Sequence, residues 1–328
     1  MEKDLIIREY KEEDKHQILD LLNRNFKGQQ HLNIQRDLTW WNWKYKNNIF
    51  GNPVINVAEY RNRIIACRPF WPWKLINRDK ELKCYQPVDA VVDKEFRGKG
   101  IFSKLTSKTL FDNEKNTDLI FNFSNDQSIR ANVRLGWTFI GKLQWYVKVN
   151  KPVIALKMIR NNISFVSLKL EDEDRVNHTK INQVKSVAGL SGRFETTKEE
   201  DFLSWRYMEH PQIYYGMDLI ETRDKQLVYI YEINENNFGR ELILVDYFGD
   251  MNLFKNMLNE LDKLSTKYNV AFISLVYKYN APKNRLYKKL YIKQKRKNLL
   301  VLPLNKELEQ SSLKYDNWDI FLGMHDSV

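Results

Sequence analysis

The 328-residue chain is poor in the residues that would place it in several classes at once. It has two cysteines, Cys67 and Cys84, too few for a disulfide framework or a thiolate metal site, so both are expected to be buried thiols. Its five histidines, His16, His31, His178, His210 and His325, are scattered, with no HxxxH spacing and no cysteine partner. No metal is expected. Twelve glycines and eight prolines are too few for a fibrous or low-complexity chain. No apolar run approaches the roughly 18 residues of a membrane-spanning helix. The opening Met-Glu-Lys-Asp lacks the charged-then-apolar pattern of a secretory signal. The expectation is a cytoplasmic protein without a membrane span.

What is present is globular: 43% apolar and 13% aromatic residues. At about 150 residues per domain the length suggests two. A net charge of +11 would recruit a polyanion, whether nucleic acid, membrane surface or nucleotide cofactor. Oligomeric state is not readable from this composition.

One stretch organises the rest. Val88, Ala90, Val91 and Val92 form an apolar run that passes through Arg97-Gly98-Lys99-Gly100 into helical spacing at Ile101, Leu105 and Leu110. The order implied is strand, glycine turn, helix. Such a turn leaves backbone N–H groups pointing out of a helix N-terminus, where an anion is favoured, and glycine lets a phosphate approach without meeting a Cβ.

Around it, Leu5–Tyr10 reads as a strand and Ile18, Leu21, Leu22 and Phe26 as a helix closed by Gly28. Strands follow at 54–60 and 63–70, then 118–123, a helix at 128–134, and a strand in the run 135–143 after the helix-ending Gly136. The alternation predicts an α/β (α+β) fold with a mixed central sheet and helices on both faces.

These elements and motifs together resemble the GNAT superfamily of acyl-CoA-dependent N-acyltransferases over residues 1–148. The family's Arg/Gln-x-x-Gly-x-Gly/Ala signature reads here Arg97-Gly98-Lys99-Gly100-Ile101-Phe102, with Phe102 where a small residue is usual. Its second signature is similar to Asn125 followed by Leu135-Gly136-Trp137. The resemblance implies acetyl-CoA as co-substrate. It implies amides around Gly98, Lys99, Gly100, Ile101 and Phe102 on the pyrophosphate, the backbone of Ala90, Val91 and Val92 beside the pantetheine arm, and charge from Arg97 and Lys99. Many members place a Tyr where this chain has Asn132, and Asn cannot protonate a departing thiolate.

Attack by a neutral amine needs a proton acceptor. Asp89, flanked by apolar residues on the motif strand, is the leading candidate base, and Glu59 is second.

The second half echoes the first. Trp205-Arg206-Tyr207 before Gly216 matches Trp43-Lys44-Tyr45 before Gly51, and both are followed by strands, a helix and more strands. At the place of the glycine turn stands Asp246-Tyr247-Phe248-Gly249-Asp250-Met251, whose acids oppose a phosphate. The reading is two similar domains in tandem: 1–150 binding the acyl-CoA, 151–178 a linker, and 179–328 a copy without a cofactor cradle. Trp41, Trp71, Trp73 and Trp205 are candidates for the wall of an acceptor site between them. Residues 318–326 look like a closing strand and polar tail.

The leading function is acetyl transfer to a primary amine of a small acceptor, with an amino sugar or surface-polysaccharide precursor as the class suggested. Two alternatives stand beside it. One is a tRNA-dependent aminoacyl transferase of cell-wall type, disfavoured by the intact glycine turn, so nucleic acid is not the expected partner. The other is a non-catalytic nucleotide- or glycan-binding protein.

Overall fold

In a computed structural model of the chain, residues 4–26, 31–124, 126–161, 163–185, 192–278 and 281–325 are described. Gly28 and Asn125 lie outside them. The strands are β1 (Leu5–Glu9), β2 (Val54–Tyr60), β3 (Arg63–Asn77), β4 (Lys80–Pro87), β5 (Val91–Val92), β6 (Leu119–Ser124), β7 (Thr138–Val149), β8 (Val166–Ser167), β9 (Tyr215–Thr222), β10 (Lys225–Asn236), β11 (Gly239–Gly249), β12 (Val270–Val276) and β13 (Ile292–Pro303). The helices are α1 (Lys15–Phe26), α2 (Leu38–Trp41), α3 (Ile101–Asn113), α4 (Asp126–Arg134), α5 (Pro152–Asn161), α6 (His178–Asn182), α7 (Glu200–Leu203), α8 (Phe254–Lys267), α9 (Asn284–Lys288) and α10 (Glu309–Ser312).

All thirteen strands join one mixed sheet in the order β1-β2-β3-β4-β6-β13-β7-β12-β11-β10-β8, with β5 on β3 and β9 on β10. Its two halves interlock. Strand β13 lies between β6 and β7, and β7 lies between β13 and β12. Each half thus receives a strand that the other half's sequence supplies, and no cut in the chain separates two closed sheets. The 151–178 stretch is itself built in: α5 packs Ala155 and Met158 into the core, and β8 pairs with β10.

The inner strands are buried along nearly their whole length, as in β6 and β12, because helices cover both faces of the sheet. On one face α1, α2 and α7 pack over Cys67, Trp71 and Trp73 in the largest core cluster. On the other, Ile101 and Leu105 of α3 meet Ala58 and Ala66, and α8 covers β10, β11 and β12.

Two sequence-based expectations change here. The strand through Val88–Val92 is broken: β4 ends at Pro87, and Asp89 takes a left-handed backbone at φ +42° before β5 resumes pairing with β3. An Asp tolerates that region better than a β-branched residue would. The closing strand at 318–326 is absent from the described residues. Trp318 makes a single bridge to Phe194, and residues 322–324 form a 3-10 turn.

Candidate functional site

The break in the strand opens the sheet. Strands β4 and β6 are parallel partners only at Cys84–Leu119 and Tyr85–Ile120. Beyond that point Phe121–Ser124 stay with β13, while Val88, Val91 and Val92 stay with β3. Neighbouring strands that each follow their outer partner must diverge, and the backbone edges along the gap lose their ladder partners. An extended, amide-bearing arm can take those places as an added strand. At the apex the Gln86 side chain donates to the Met324 carbonyl at 2.8 Å, and the His325 ring packs 5.6 Å from Phe123.

The glycine turn stands at the mouth of this gap. Gly98 and Gly100 have φ of +76° and +74°, and a Cβ at either would meet nothing within 4 Å. Gly100 caps α3 with no side-chain hydrogen bond. Among the described residues, the amides of Gly98, Gly100, Ile101 and Phe102 donate to no protein acceptor. Phe102 leaves this face clear, since its half-buried ring lies under the Arg68 guanidinium, 4.8 Å from ring centroid to Cζ. Arg97 faces elsewhere: its Nε donates to the Val92 carbonyl at 3.0 Å and its Nη2 to Asn25 at 2.9 Å, fastening the turn to α1. The Val92 carbonyl is therefore already used. Lys99 is exposed, its Nζ 5.1 Å from the Phe96 ring. Ala90 lies in the break between β4 and β5.

The corresponding place in the second half is closed. Strands β11 and β12 are parallel as far as Leu244–Leu275. The Tyr247 hydroxyl then bridges the gap, donating to the Val276 carbonyl at 3.2 Å and accepting from the Lys278 amide at 2.7 Å. A Cβ on Gly249 would lie 2.2 Å from the Gln226 carbonyl oxygen, and Asp250 caps the Asn252 amide itself. One half has an open turn; the other has filled its own.

The acids proposed from sequence are both engaged. Asp89 accepts from Lys44 Nζ at 2.5 Å and from the Tyr45 hydroxyl at 2.7 Å, with Arg36 Nε 3.6 Å away, all buried. Its oxygens hold α2 and the turn after it against the strand break. Asp246 is held in the same way by Lys198 at 2.6 Å, Lys278 at 3.0 Å and the Tyr207 hydroxyl at 3.3 Å. The same device occurs in the half whose turn is filled, so the contacts of Asp89 are those of a structural anchor. Glu59 lies at the β1–β2 edge, paired with Arg8 at 2.7 Å, which also holds Asp14. Asn132 is buried and donates to Ser124 Oγ at 2.9 Å, an internal strut under β6.

The four tryptophans are core residues. Trp71 and Trp73 pack against Trp205 in tilted pairs at 5.7 and 6.3 Å, and Trp41 packs on Tyr45 at 4.7 Å. Their polar edges are spent inside the protein: Trp71 Nε1 on the Lys44 carbonyl, Trp73 Nε1 on Thr196, and Trp205 Nε1 on the Trp43 carbonyl. Trp73 also borders a cavity of about 330 Å³ with Glu81, Asp118 and Asp201. That cavity lies at the opposite end of β4 from the strand gap.

Sequence reasoning missed Arg68, Gln86 and the 322–325 segment. Arg68 carried a signal, since it is a charge inside the apolar run Ile64–Phe70. The other two depend on long-range packing and had none.

The open strand pair and glycine turn, at residues 84–124, lie within the stretch that a known family's model matches. The model of the acetyltransferase (GNAT) domain family matches residues 6–140. Enzymes of this family draw on acetyl-CoA. Comparison with curated protein sequences finds no match. Among solved structures, a GCN5-related N-acetyltransferase from Anabaena variabilis is similar at a TM-score of 0.61 and 10% identity, over 92% of this chain and 73% of its own. An N-myristoyltransferase from Saccharomyces cerevisiae, solved with bound myristoyl-CoA, aligns at 0.56 and 13%, over 91% and 82%. Eis1 from Mycobacterium abscessus aligns at 0.56 and 11%, over 94% and 76%. At these identities the likeness is one of fold.

Proposed function

We propose that the chain transfers an acetyl group from acetyl-CoA to a primary amine of a small acceptor, with an amino sugar the first class to test. The observation that carries this reading is the coincidence of an unzipped strand pair with an unfilled glycine turn at its mouth. The gap suits a pantetheine arm, and the free amides at the α3 N-terminus suit a pyrophosphate.

In this reading Gly98, Gly100, Ile101 and Phe102 contribute backbone amides, and Ala90 and Val91 line the arm. The two reactants are held together in one site, so rate comes from orientation without a covalent intermediate. Asp89 and Glu59 then act by holding the site's walls, and the amine proton leaves to water. Residues 1–150 and 179–328 are taken as tandem copies joined by 151–178, with the filled second copy supporting the first. Trp41, Trp71, Trp73 and Trp205 stiffen the junction behind the acceptor site.

The reading is tested by calorimetric titration with acetyl-CoA, followed by thiol release across a panel of amines that includes glucosamine-type sugars, polyamines and aminoacyl-tRNA. One site per chain and amine-dependent thiol release are expected. No binding at millimolar acetyl-CoA would overturn it.

A further inference from the structure

Arg68 stands on β3 directly across from the strand break. Its neighbour Cys67 pairs with Val91, and the Pro69 carbonyl accepts from the Val88 amide. The side chain is 3% exposed. Its Nε and Nη2 are buried and have no hydrogen-bond partner, and no acid among the described residues forms an ion pair with it. The Phe102 and Phe70 rings lie 4.8 and 5.6 Å from its Cζ. Ring faces attract a guanidinium but accept none of its directed N–H bonds. The one acid of α3, Asp112, is already taken by Lys108 and Asn56. Asn56, which pairs with Arg68 across the strands, likewise keeps a buried Oδ1 without a partner.

Burial presses the Arg68 pKa down to about 9, the direction expected of a cation whose counter-charge is missing. A buried charge left unpaired is strongly unfavourable, and a ligand anion reaching it would remove that cost. The position says which ligand. Phe102 is the second residue of α3, so the guanidinium lies beneath the same helix N-terminus whose amides are open.

We propose that Arg68 binds an anionic oxygen of the acyl donor from below the α3 N-terminus, so that the donor supplies the counter-charge the folded protein lacks. This rests on the acyl-donor reading of the strand gap. The anionic oxygen belongs either to a phosphate of CoA or to a carboxylate on the acyl group.

The test is calorimetric titration of wild type and Arg68→Met with CoA, with pantetheine, which has no phosphate, and with succinyl-CoA, together with thermal melts of both proteins without ligand. The variant is expected to bind CoA at least tenfold more weakly and pantetheine unchanged, which assigns the oxygen to a phosphate. A loss confined to succinyl-CoA assigns it to the acyl carboxylate. Equal affinities of the two proteins for all three ligands overturn the proposal while leaving the donor site standing; a wild type that binds no CoA removes both. Without ligand, Arg68→Met should melt at or above wild type. A melt well below wild type would mean that the charge is satisfied inside the protein, and would overturn the proposal as well.

Discussion

Trp43 and Trp205 exchange hydrogen bonds: Trp43 Nε1 donates to the Trp205 carbonyl at 2.7 Å, and Trp205 Nε1 donates to the Trp43 carbonyl at 3.0 Å. The two indoles stack with centroids 5.8 Å apart. Each sits in a single turn of π-helix, Asn42–Lys46 and Ser204–Met208, that continues a short helix. The wide turn leaves a carbonyl available to a side chain from outside. The relation is reciprocal, as expected where two like elements meet across an approximate two-fold axis.

Replacing Trp205 with Phe deletes one of these bonds and strands a buried carbonyl. A loss of about 1–3 kcal/mol is expected. Trp43→Phe should cost a similar amount, and the double variant less than the sum, because the two share one contact. Urea unfolding of the four proteins measures the coupling, and strict additivity would contradict it.

Asp89→Asn leaves Lys44 and Arg36 without their buried counter-charge, and Asp246→Asn does the same to Lys198 and Lys278. Each is expected to destabilise by about 3–5 kcal/mol. If Asp89 were the catalytic base, its variant would keep its stability and lose turnover. Measuring unfolding and thiol release on the same samples separates the two roles.

Gly100→Val forces a β-branched residue into φ +74°, at a cost of about 1–2 kcal/mol. The added side chain meets no protein atom near its Cβ, so the fold should survive. Its methyl groups would stand where the open amides face outward, and acetyl-CoA affinity should fall at least tenfold by titration. Gly249→Val, which drives a Cβ into the Gln226 carbonyl, should instead fail by unfolding.

Two buried groups shape the pH profile. Burial raises Glu232 to about 7, with Glu241 adding to the shift, against a bond from Asn234 and the fields of His31 and Arg206. Its folded pKa exceeds the unfolded value of 4.5, so the native state holds the extra proton. Its contribution is complete below pH 4.5 and is lost as pH rises to about 7. Burial lowers Lys198 to about 7, helped by Lys278 and opposed by Asp246. Here the unfolded state holds the extra proton, so this contribution grows from pH 7 toward 10.5. Relative to wild type, Glu232→Gln should gain stability between pH 4.5 and 7 and stay level above. Relative to wild type, Lys198→Met should lose ground between pH 7 and 10.5. Denaturant midpoints across pH 4–10 check both slopes.

The local order of strand, glycine turn and helix was written in residues 88–105, because strand periodicity, glycine and helical spacing act over a few neighbours. The same holds for the aromatic echo of Trp43-Lys44-Tyr45 in Trp205-Arg206-Tyr207, where like residues make like turns. Tertiary structure decided the rest. The exchange of β7 and β13 pairs residues more than a hundred positions apart, and no short-range pattern encodes it. Asp89 reads as an unpaired acid in the sequence because its partners, Arg36, Lys44 and Tyr45, come from the segments flanking α2, more than forty residues away. The tryptophans looked like a substrate wall for the same reason. Arg68 looked like one charge in a strand, and only the packing of Phe102 and Phe70 around it shows a guanidinium buried without an acid.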